Sequence, residues 1–157
     1  MDLKVIIPQF EGRFQTAKKS RKSGRPRYWT VNGQGLYNAS MHYTLRTKMT
    51  SYFHKYLSKY IVEQILQENI NHIRDQVYIG SRRKLSISLD IYDVRRGKMP
   101  DVSNLWLWTK WFEDALQETG VIEDDNPDYV EESGRTRYHF VDSVDKRKLV
   151  FHIGFIN

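Results

Sequence analysis

The sequence predicts a single α+β domain with a mixed, largely antiparallel sheet and two main helices packed on it. Two observations support this fold class. Apolar and polar residues alternate cleanly over residues 85–94, as in a half-buried strand, whereas residues 43–69 carry apolar residues at three- and four-residue steps, as in a helix. The 157 residues contain no repeat or linker and are most simply one domain, 1–157.

Residues 3–8 predict a short strand, because they are rich in β-branched residues and end at Pro8. Residues 11–37 show no periodicity and predict a basic loop within the domain. Mutual repulsion of its cations should keep this loop mobile in the free protein. Asn32-Gly33 is typical of a tight turn and indicates a small hairpin there.

A long helix is predicted from Ser40 or Tyr43 to Asn69, and a strand over residues 85–94. A second helix over 103–119 should end near Gly120. Three further strands are predicted over the ranges 129–132, 135–141 and 149–155, joined by Ser133-Gly134 and by the polar turn 142–147.

Composition narrows the function classes. The net charge is +6, and the absence of cysteine excludes disulfides and thiolate metal sites. No apolar run approaches the roughly 20 residues of a membrane span, so we expect a soluble cytoplasmic protein without membrane partners. Ten of the acidic residues lie between Asp101 and Glu132, where Lys110 is the only base. A basic chain with one acidic stretch suits a metal-dependent enzyme that acts on a phosphate polymer.

The basic residues are candidate contacts to DNA phosphates, which would make binding depend on salt. They are Lys18, Lys19, Arg21, Lys22, Arg25 and Arg27 in the first loop and Arg95, Arg96 and Lys98 before the second helix. Tyr28 and Trp29 suit either stacking on exposed bases or packing within the fold. The alternative for the basic residues of the first loop is a solvated loop that makes no specific contacts.

The acidic stretch supplies candidate metal ligands at both ends of one helix. Asp101, Asp124 and Asp125 are hard oxygen ligands of the kind Mg²⁺ prefers, and Asn104 adds an amide oxygen. A helix over 103–119 is about 25 Å long, so the chain after Gly120 must return for Asp125 to approach Asp101. Such a site could activate water and neutralise charge in phosphodiester hydrolysis.

Each of these residues has a structural alternative. Asp101 or Ser103 suits a helix N-cap, residues 124–127 suit a turn, and Lys110 with Asp114 suits a surface ion pair. His54 and His72 lack metal-ligand spacing and are interpreted as structural or surface residues. The tryptophan-rich helix favours a core or a subunit interface over a base-stacking platform; its aromatic residues are Trp106, Trp108, Trp111 and Phe112.

Three motifs follow one another along this stretch: Asp101 with Asn104, Lys110 with Asp114-Ala115-Leu116, and Gly120 with Asp124-Asp125. Their spacing resembles that in the RusA family of Holliday junction resolvases, which is common in phages and prophages. The resemblance is tightest from Asp101 to Asn126. It implies a homodimeric, Mg²⁺-dependent endodeoxyribonuclease of the bacterial cytoplasm, with Mn²⁺ able to substitute and no small-molecule cofactor. Four-way or branched DNA would be its substrate, cut by paired nicks in recombination and repair.

The resemblance assigns Asp101 and Asp125 as metal ligands and catalytic acids, with Asp124 in support, and Lys110 as the essential lysine. Two departures matter. Ser103 stands where the family usually has a third aspartate, and the segment from Asn104 to Lys110 is about one helical turn longer than in the best-known member. A junction-binding protein that cuts slowly or not at all is therefore the alternative. An RNA-binding domain is less favoured because no RNP motif is present.

Overall fold

The computed structural model describes residues 2–19, 22–32, 36, 41–97, 99 and 101–157, and it shows a single α+β domain. In chain order, the elements of this described part are β1 (Asp2–Pro8), β2 (Arg13–Lys19), β3 (Pro26–Thr30), α1 (Tyr43–Gln64), α2 (Gln67–Gln76), β4 (Lys84–Val94), α3 (Trp106–Glu118), β5 (Val130–Val141) and β6 (Lys148–Ile156). Short 3₁₀ segments, Val102–Leu105 and Val144–Lys146, precede α3 and β6. Within these ranges, no helix has the length and apolar character that crossing a lipid bilayer requires.

A four-stranded sheet has the order β1-β6-β4-β5, and β2 and β3 form a separate two-stranded hairpin. The pairs β1/β6 and β6/β4 are antiparallel, whereas β4 and β5 are parallel. The predicted mixed, largely antiparallel sheet is therefore confirmed. Because parallel neighbours require a crossover, the chain leaves the end of β4, passes through α3 and returns to the start of β5.

The core lies between one face of this sheet and the helices α1 and α3. The predicted inward face of β4 is buried throughout; it consists of Leu85, Ile87, Leu89 and Ile91. Phe112 of α3 stacks on Phe151 of β6 with ring centroids 4.0 Å apart, and Trp111 stacks on Phe53 of α1 at 4.7 Å. Trp108 is only 2% exposed, so Trp108, Trp111 and Phe112 form core and do not offer a base-stacking surface, whereas Trp106 is 38% exposed.

The first difference from the sequence prediction is the hairpin of β2 and β3, which lies within the range 11–37 that was predicted as loop. The reversal lies between Lys19 and Pro26, and the predicted Asn32-Gly33 hairpin turn extends outside the described residues. Phe14 packs on Tyr52 of α1 and Trp29 on Trp111 of α3. These distant partners stabilise strands whose basic sequence carries little alternation. The mobility of this range stays a prediction.

The second difference is that the long predicted helix is two helices. The chain becomes extended at Ile65 and Leu66, with φ −98° and ψ 114° at Ile65, and α2 then runs to Gln76. Ile65 is buried whereas Leu66 is exposed, so the break between the two helices keeps Ile65 in the core. The helix begins at Tyr43, where the ring Nδ1 of His42 accepts a hydrogen bond from the Thr44 amide.

The third difference is that β5 is one strand through Ser133-Gly134, where two strands were predicted. Its register with β4 shifts twice in this region, and Gly134 has φ +85°. A residue without Cβ tolerates this left-handed backbone, so the chain forms a bulge there while strand pairing continues.

The outer edge of β1 is occupied by a side chain. The Gln64 carboxamide of α1 accepts from the Ile6 amide at 2.8 Å and donates to the Ile6 carbonyl at 2.7 Å. One glutamine therefore satisfies both backbone groups that Ile6 presents at this edge.

Phe112→Ala should lower the free energy of unfolding by about 3–5 kcal/mol, because it leaves a cavity beneath the ring of Phe151. Urea unfolding at constant m-value measures the change. Tyr43→Ala, at a position 74% exposed, is the matched control and should change stability by less than about 0.5 kcal/mol. A cost at Phe112 no larger than that of the control would contradict the stacked core.

Candidate functional site

Asp101 lies at the surface, in the loop before α3. Asp101 precedes the 3₁₀ segment, and its backbone carbonyl accepts from the Asn104 amide at 2.9 Å. The side chain of Asp101 makes no capping hydrogen bond, and both Asp101 and Ser103 are exposed. Asp101 therefore precedes the 3₁₀ segment without capping it through its carboxylate, and the N-cap residue of α3 is Leu105, so neither Asp101 nor Ser103 caps α3.

The chain reverses sharply where α3 ends. Gly120 has φ +77°, its amide donates to the Gln117 carbonyl, and the Val121 amide donates to the Leu116 carbonyl. This pair of hydrogen bonds is a Schellman C-cap, which glycine favours because it has no Cβ. Val121 and Leu116 are both buried, so an apolar contact accompanies the cap and starts the return loop.

The return loop brings Asp125 back to Lys110, 15 residues earlier in the sequence. Lys110 Nζ lies 2.6 Å from Asp125 Oδ2 and 2.9 Å from Asp114 Oδ1. The predicted i, i+4 contact between Lys110 and Asp114 is present, and a carboxylate from the opposite end of the helix joins it. The three side chains form what we call the Lys110 cluster.

Asp124 holds the return loop in shape. Its Oδ1 accepts from the Asp125 amide at 2.8 Å, and its Oδ2 accepts from the Asn126 side-chain amide at 2.9 Å. The Asn126 side chain in turn accepts from the Asp128 amide. Asp124 thus stabilises the turn that was predicted for residues 124–127, and it orients the neighbouring Asp125.

Protonation in the Lys110 cluster follows from these contacts. Burial lowers the pKa of Lys110, but hydrogen bonds with Asp125 and Asp114 outweigh it, and the pKa stands above its ordinary value. For Asp114, burial raises the pKa, but hydrogen bonds with His54 and Lys110 bring it below the ordinary value. The ammonium and the Asp114 carboxylate are therefore both charged at neutral pH.

His54 of α1 extends the cluster, although the sequence interpretation assigned it no functional contact. Its Nε2 lies 3.1 Å from Asp114 Oδ2 and its Nδ1 lies 3.2 Å from Glu118 Oε1. Burial lowers the pKa of His54, but the two carboxylates outweigh burial and raise it overall. No local spacing could have revealed these contacts, because the partners are 60 and 64 residues away.

Glu113 is a buried acid that the sequence analysis also left unassigned. It accepts a hydrogen bond from the Ser133 hydroxyl of β5. Burial raises its pKa, while the Ser133 hydrogen bond lowers it, and repulsion from Asp125 adds to the increase. The raised pKa favours the neutral form of Glu113 relative to an exposed glutamate.

The donor atoms suit Mg²⁺ in type but are not gathered for it. Asp101, Asp125, Asp124 and Asn104 offer only hard oxygens, as Mg²⁺ requires. Among the described residues, however, no three histidine or acidic side chains lie at metal-ligand spacing. Asp124 is engaged in the loop and Asp125 in an ion pair. A metal site here is therefore not preassembled in this arrangement.

The predicted phosphate contacts divide into several groups. Lys22, Arg25 and Arg27 belong to the hairpin and its turn, and Lys22 and Arg25 are exposed. The described residues do not include the side chains of Lys18 and Lys19, nor any part of Arg21 and Lys98. Arg95 lies over the Phe140 ring at 4.1 Å, and Arg96 is 3.7 Å from Asp93. Tyr28 is 51% exposed, whereas Trp29 packs on Trp111.

A polar cluster at the end of β4 was missed as well. Asp93 is buried; its Oδ1 accepts from Arg147 Nε at 2.5 Å and from the Val94 amide at 2.8 Å. Burial raises the pKa of Tyr138 to about 12, and the charge and hydrogen bond of Asp93 contribute to the increase. Strand periodicity could have singled out Asp93, because it falls on the same face of β4 as Ile91.

The raised pKa of His54 predicts a pH dependence of stability. Because the folded pKa exceeds the ordinary 6.5, the ion pairs contribute fully below about pH 6.5 and are lost as pH rises through the folded pKa. The stability difference between wild type and His54→Gln should therefore be largest below about pH 6.5 and shrink above it. Urea unfolding across this range measures it. His72→Gln is the control, and a difference that grows with pH would contradict the two contacts.

Comparison with protein-family models and with curated proteins found no match to this chain. The resemblance to the RusA resolvases therefore rests on the sequence pattern alone, most tightly on the residues between Asp101 and Asn126.

Proposed function

We propose that this protein is a Mg²⁺-dependent, structure-selective endodeoxyribonuclease of the RusA type. It acts as a homodimer on four-way or branched DNA and cuts by paired phosphodiester hydrolysis during recombination and repair. The observation that carries the proposal is the contact of Lys110 with Asp125. The return of the chain after α3 brings together a lysine and an acid that the motif had singled out from separate segments.

Lys110 is suited to meet a phosphate. Its side chain is 47% exposed, and its raised pKa keeps it positively charged. An ammonium has three donors, and the contacts with Asp114 and Asp125 use two of them. A phosphate oxygen would accept the third, and Lys110 would then stabilise the charge that develops on the scissile phosphate.

The acidic residues have complementary roles in this proposal. A bound Mg²⁺ would supply charge neutralisation and an activated water. Asp101 and Asp125 would hold it, supported by Asp124 and Asn104. Because Asp125 is paired with Lys110, its carboxylate would have to be shared between the lysine and the metal. His54 would position Lys110 through Asp114 without touching the substrate.

DNA would be held by the cations of the hairpin, including Lys22, Arg25 and Arg27, and by Arg95, Arg96 and Lys98. Phosphate contacts fix the position of the duplex arms but carry no base information, so recognition would depend on junction shape. A junction of four arms has two-fold symmetry, which a homodimer would match.

A second candidate function is junction binding without cleavage. Two observations favour it: Ser103 replaces a carboxylate that the family usually has, and no three-ligand group is gathered among the described residues. Fewer carboxylates bind Mg²⁺ more weakly, so catalysis would suffer before DNA binding does.

Nicking of a synthetic four-way junction in Mg²⁺ or Mn²⁺ distinguishes the two functions. Wild type should cut, whereas Asp125→Asn and Asp101→Asn should each abolish cleavage and leave junction binding intact or tighter, since each removes a negative charge near phosphate. Asp128→Asn, an exposed aspartate in the same return loop, is the matched control and should cut normally. Binding by wild type without cleavage at any metal concentration would reject the nuclease and favour the second function.

Removing the hairpin cations should flatten the salt dependence of junction binding. If Lys22, Arg25 and Arg27 each neutralise one phosphate, their joint replacement by alanine should reduce the log–log salt slope by about 2.7. The control replaces Lys48, Lys55 and Lys59, three lysines of α1, and removes the same charge elsewhere. Fluorescence anisotropy at several salt concentrations gives the slope, and an equal change in both variants would exclude a specific role for the hairpin.

A further inference from the structure

A cavity of about 600 Å³ opens between the hairpin, the end of β4 and the start of α3. Met99 and Leu105, on either side of Asp101 in sequence, both line it. The cavity therefore lies beside the loop that carries a proposed metal ligand. Its volume is within the range of about 300–1,000 Å³ that small-molecule sites usually have.

The inner part of the cavity combines flat apolar groups with fixed polar groups. Phe10 and Trp108 meet edge to face with centroids 5.9 Å apart, and the Arg147 guanidinium lies 4.3 Å over the Phe10 ring. Arg147 is held there by its hydrogen bond to the buried Asp93. Because Phe10 is 5% and Trp108 is 2% exposed, these rings offer a base a rigid apolar wall and not an open stacking face. Tyr138, hydrogen-bonded to the same Asp93, completes a polar floor.

The mouth of the cavity carries two more arginines with exposed side chains. Arg13 extends from the start of β2 and is 55% exposed, and Arg96 follows β4 and is 52% exposed. Their ion pairs, with Glu11 and Asp93 respectively, are both long at 3.7 Å. Guanidinium groups offer paired donors that match the oxygens of a phosphate.

We propose that this cavity binds one nucleotide unit of the DNA strand, with the base against the inner wall and the phosphate at Arg13 and Arg96. The flat interior and the cationic mouth together match a base joined to a phosphate, whereas neither an inorganic anion nor an apolar ligand would use both. The proposal rests on the proposed function for the identity of the polymer. It adds that a nucleotide near the cleavage point leaves the base stack to be bound.

Calorimetric titration with the four deoxynucleoside 5′-monophosphates, without divalent metal, tests the cavity directly. At least one should bind saturably to wild type, and the matching nucleoside and inorganic phosphate should each bind more weakly. Arg96→Gln should weaken binding about tenfold or more, because it removes a charge-assisted hydrogen bond. Arg82→Gln removes the same charge from an exposed arginine that neither lines the cavity nor is assigned a DNA contact, and it should bind as wild type does. Arg13→Gln, with Arg135→Gln as its control, forms a second matched pair.

Three results would overturn the proposal: no saturable binding, equal loss in both members of each pair, or inorganic phosphate bound as tightly as the nucleotides. The last result would indicate an anion site only. If wild type binds mononucleotides but leaves four-way junctions uncut, the nuclease fails and the cavity stands. If wild type cuts junctions but binds no mononucleotide, the nuclease stands and the cavity proposal fails.

Discussion

Strands β4 and β5 lie side by side and parallel, and parallel neighbours cannot be joined by a tight turn. The chain must cross the sheet, and α3 with its two flanking loops makes that crossing. The positions of both acidic segments therefore follow from the pairing of β4 with β5. Asp101 lies where the chain begins to cross the sheet, and Asp125 lies where the crossing ends. The Schellman cap at Gly120 then turns the second segment back toward Lys110.

The ion pairs of the Lys110 cluster extend to His54 and Glu118. One ammonium faces Asp114 and Asp125, and His54 faces Asp114 and Glu118. Each of these three carboxylates therefore contacts at least one basic side chain. Such a cluster holds Lys110 in place without a metal, and a phosphate arriving at its exposed side would add the next negative charge.

The sequence predicted the elements whose pattern is local and missed those that depend on distant partners. Alternation identified β4. The length of α3 required the chain to return after Gly120, and the structure brings Asp125 to Lys110, whereas the approach of Asp125 to Asp101 stays a prediction. The hairpin depends on Phe14 and Trp29 packing against helices far along the chain, so its own residues gave no clear period. His54 was missed for the same reason, since α1 and α3 become neighbours only in the folded domain.

The Gln64 carboxamide on Ile6 takes the place of an additional strand. An unpaired strand edge offers amides and carbonyls to any extended chain, including another copy of the protein. The Gln64 side chain of α1 hydrogen-bonds both the amide and the carbonyl of Ile6. A side-chain amide cannot continue a strand ladder, so no further strand can pair at this point of the edge. At the opposite edge, β5 carries Glu131, Glu132, Arg135 and Arg137, whose charges oppose the same process. A side-chain amide at one edge and charge at the other thus both oppose the addition of a further strand to this four-stranded sheet.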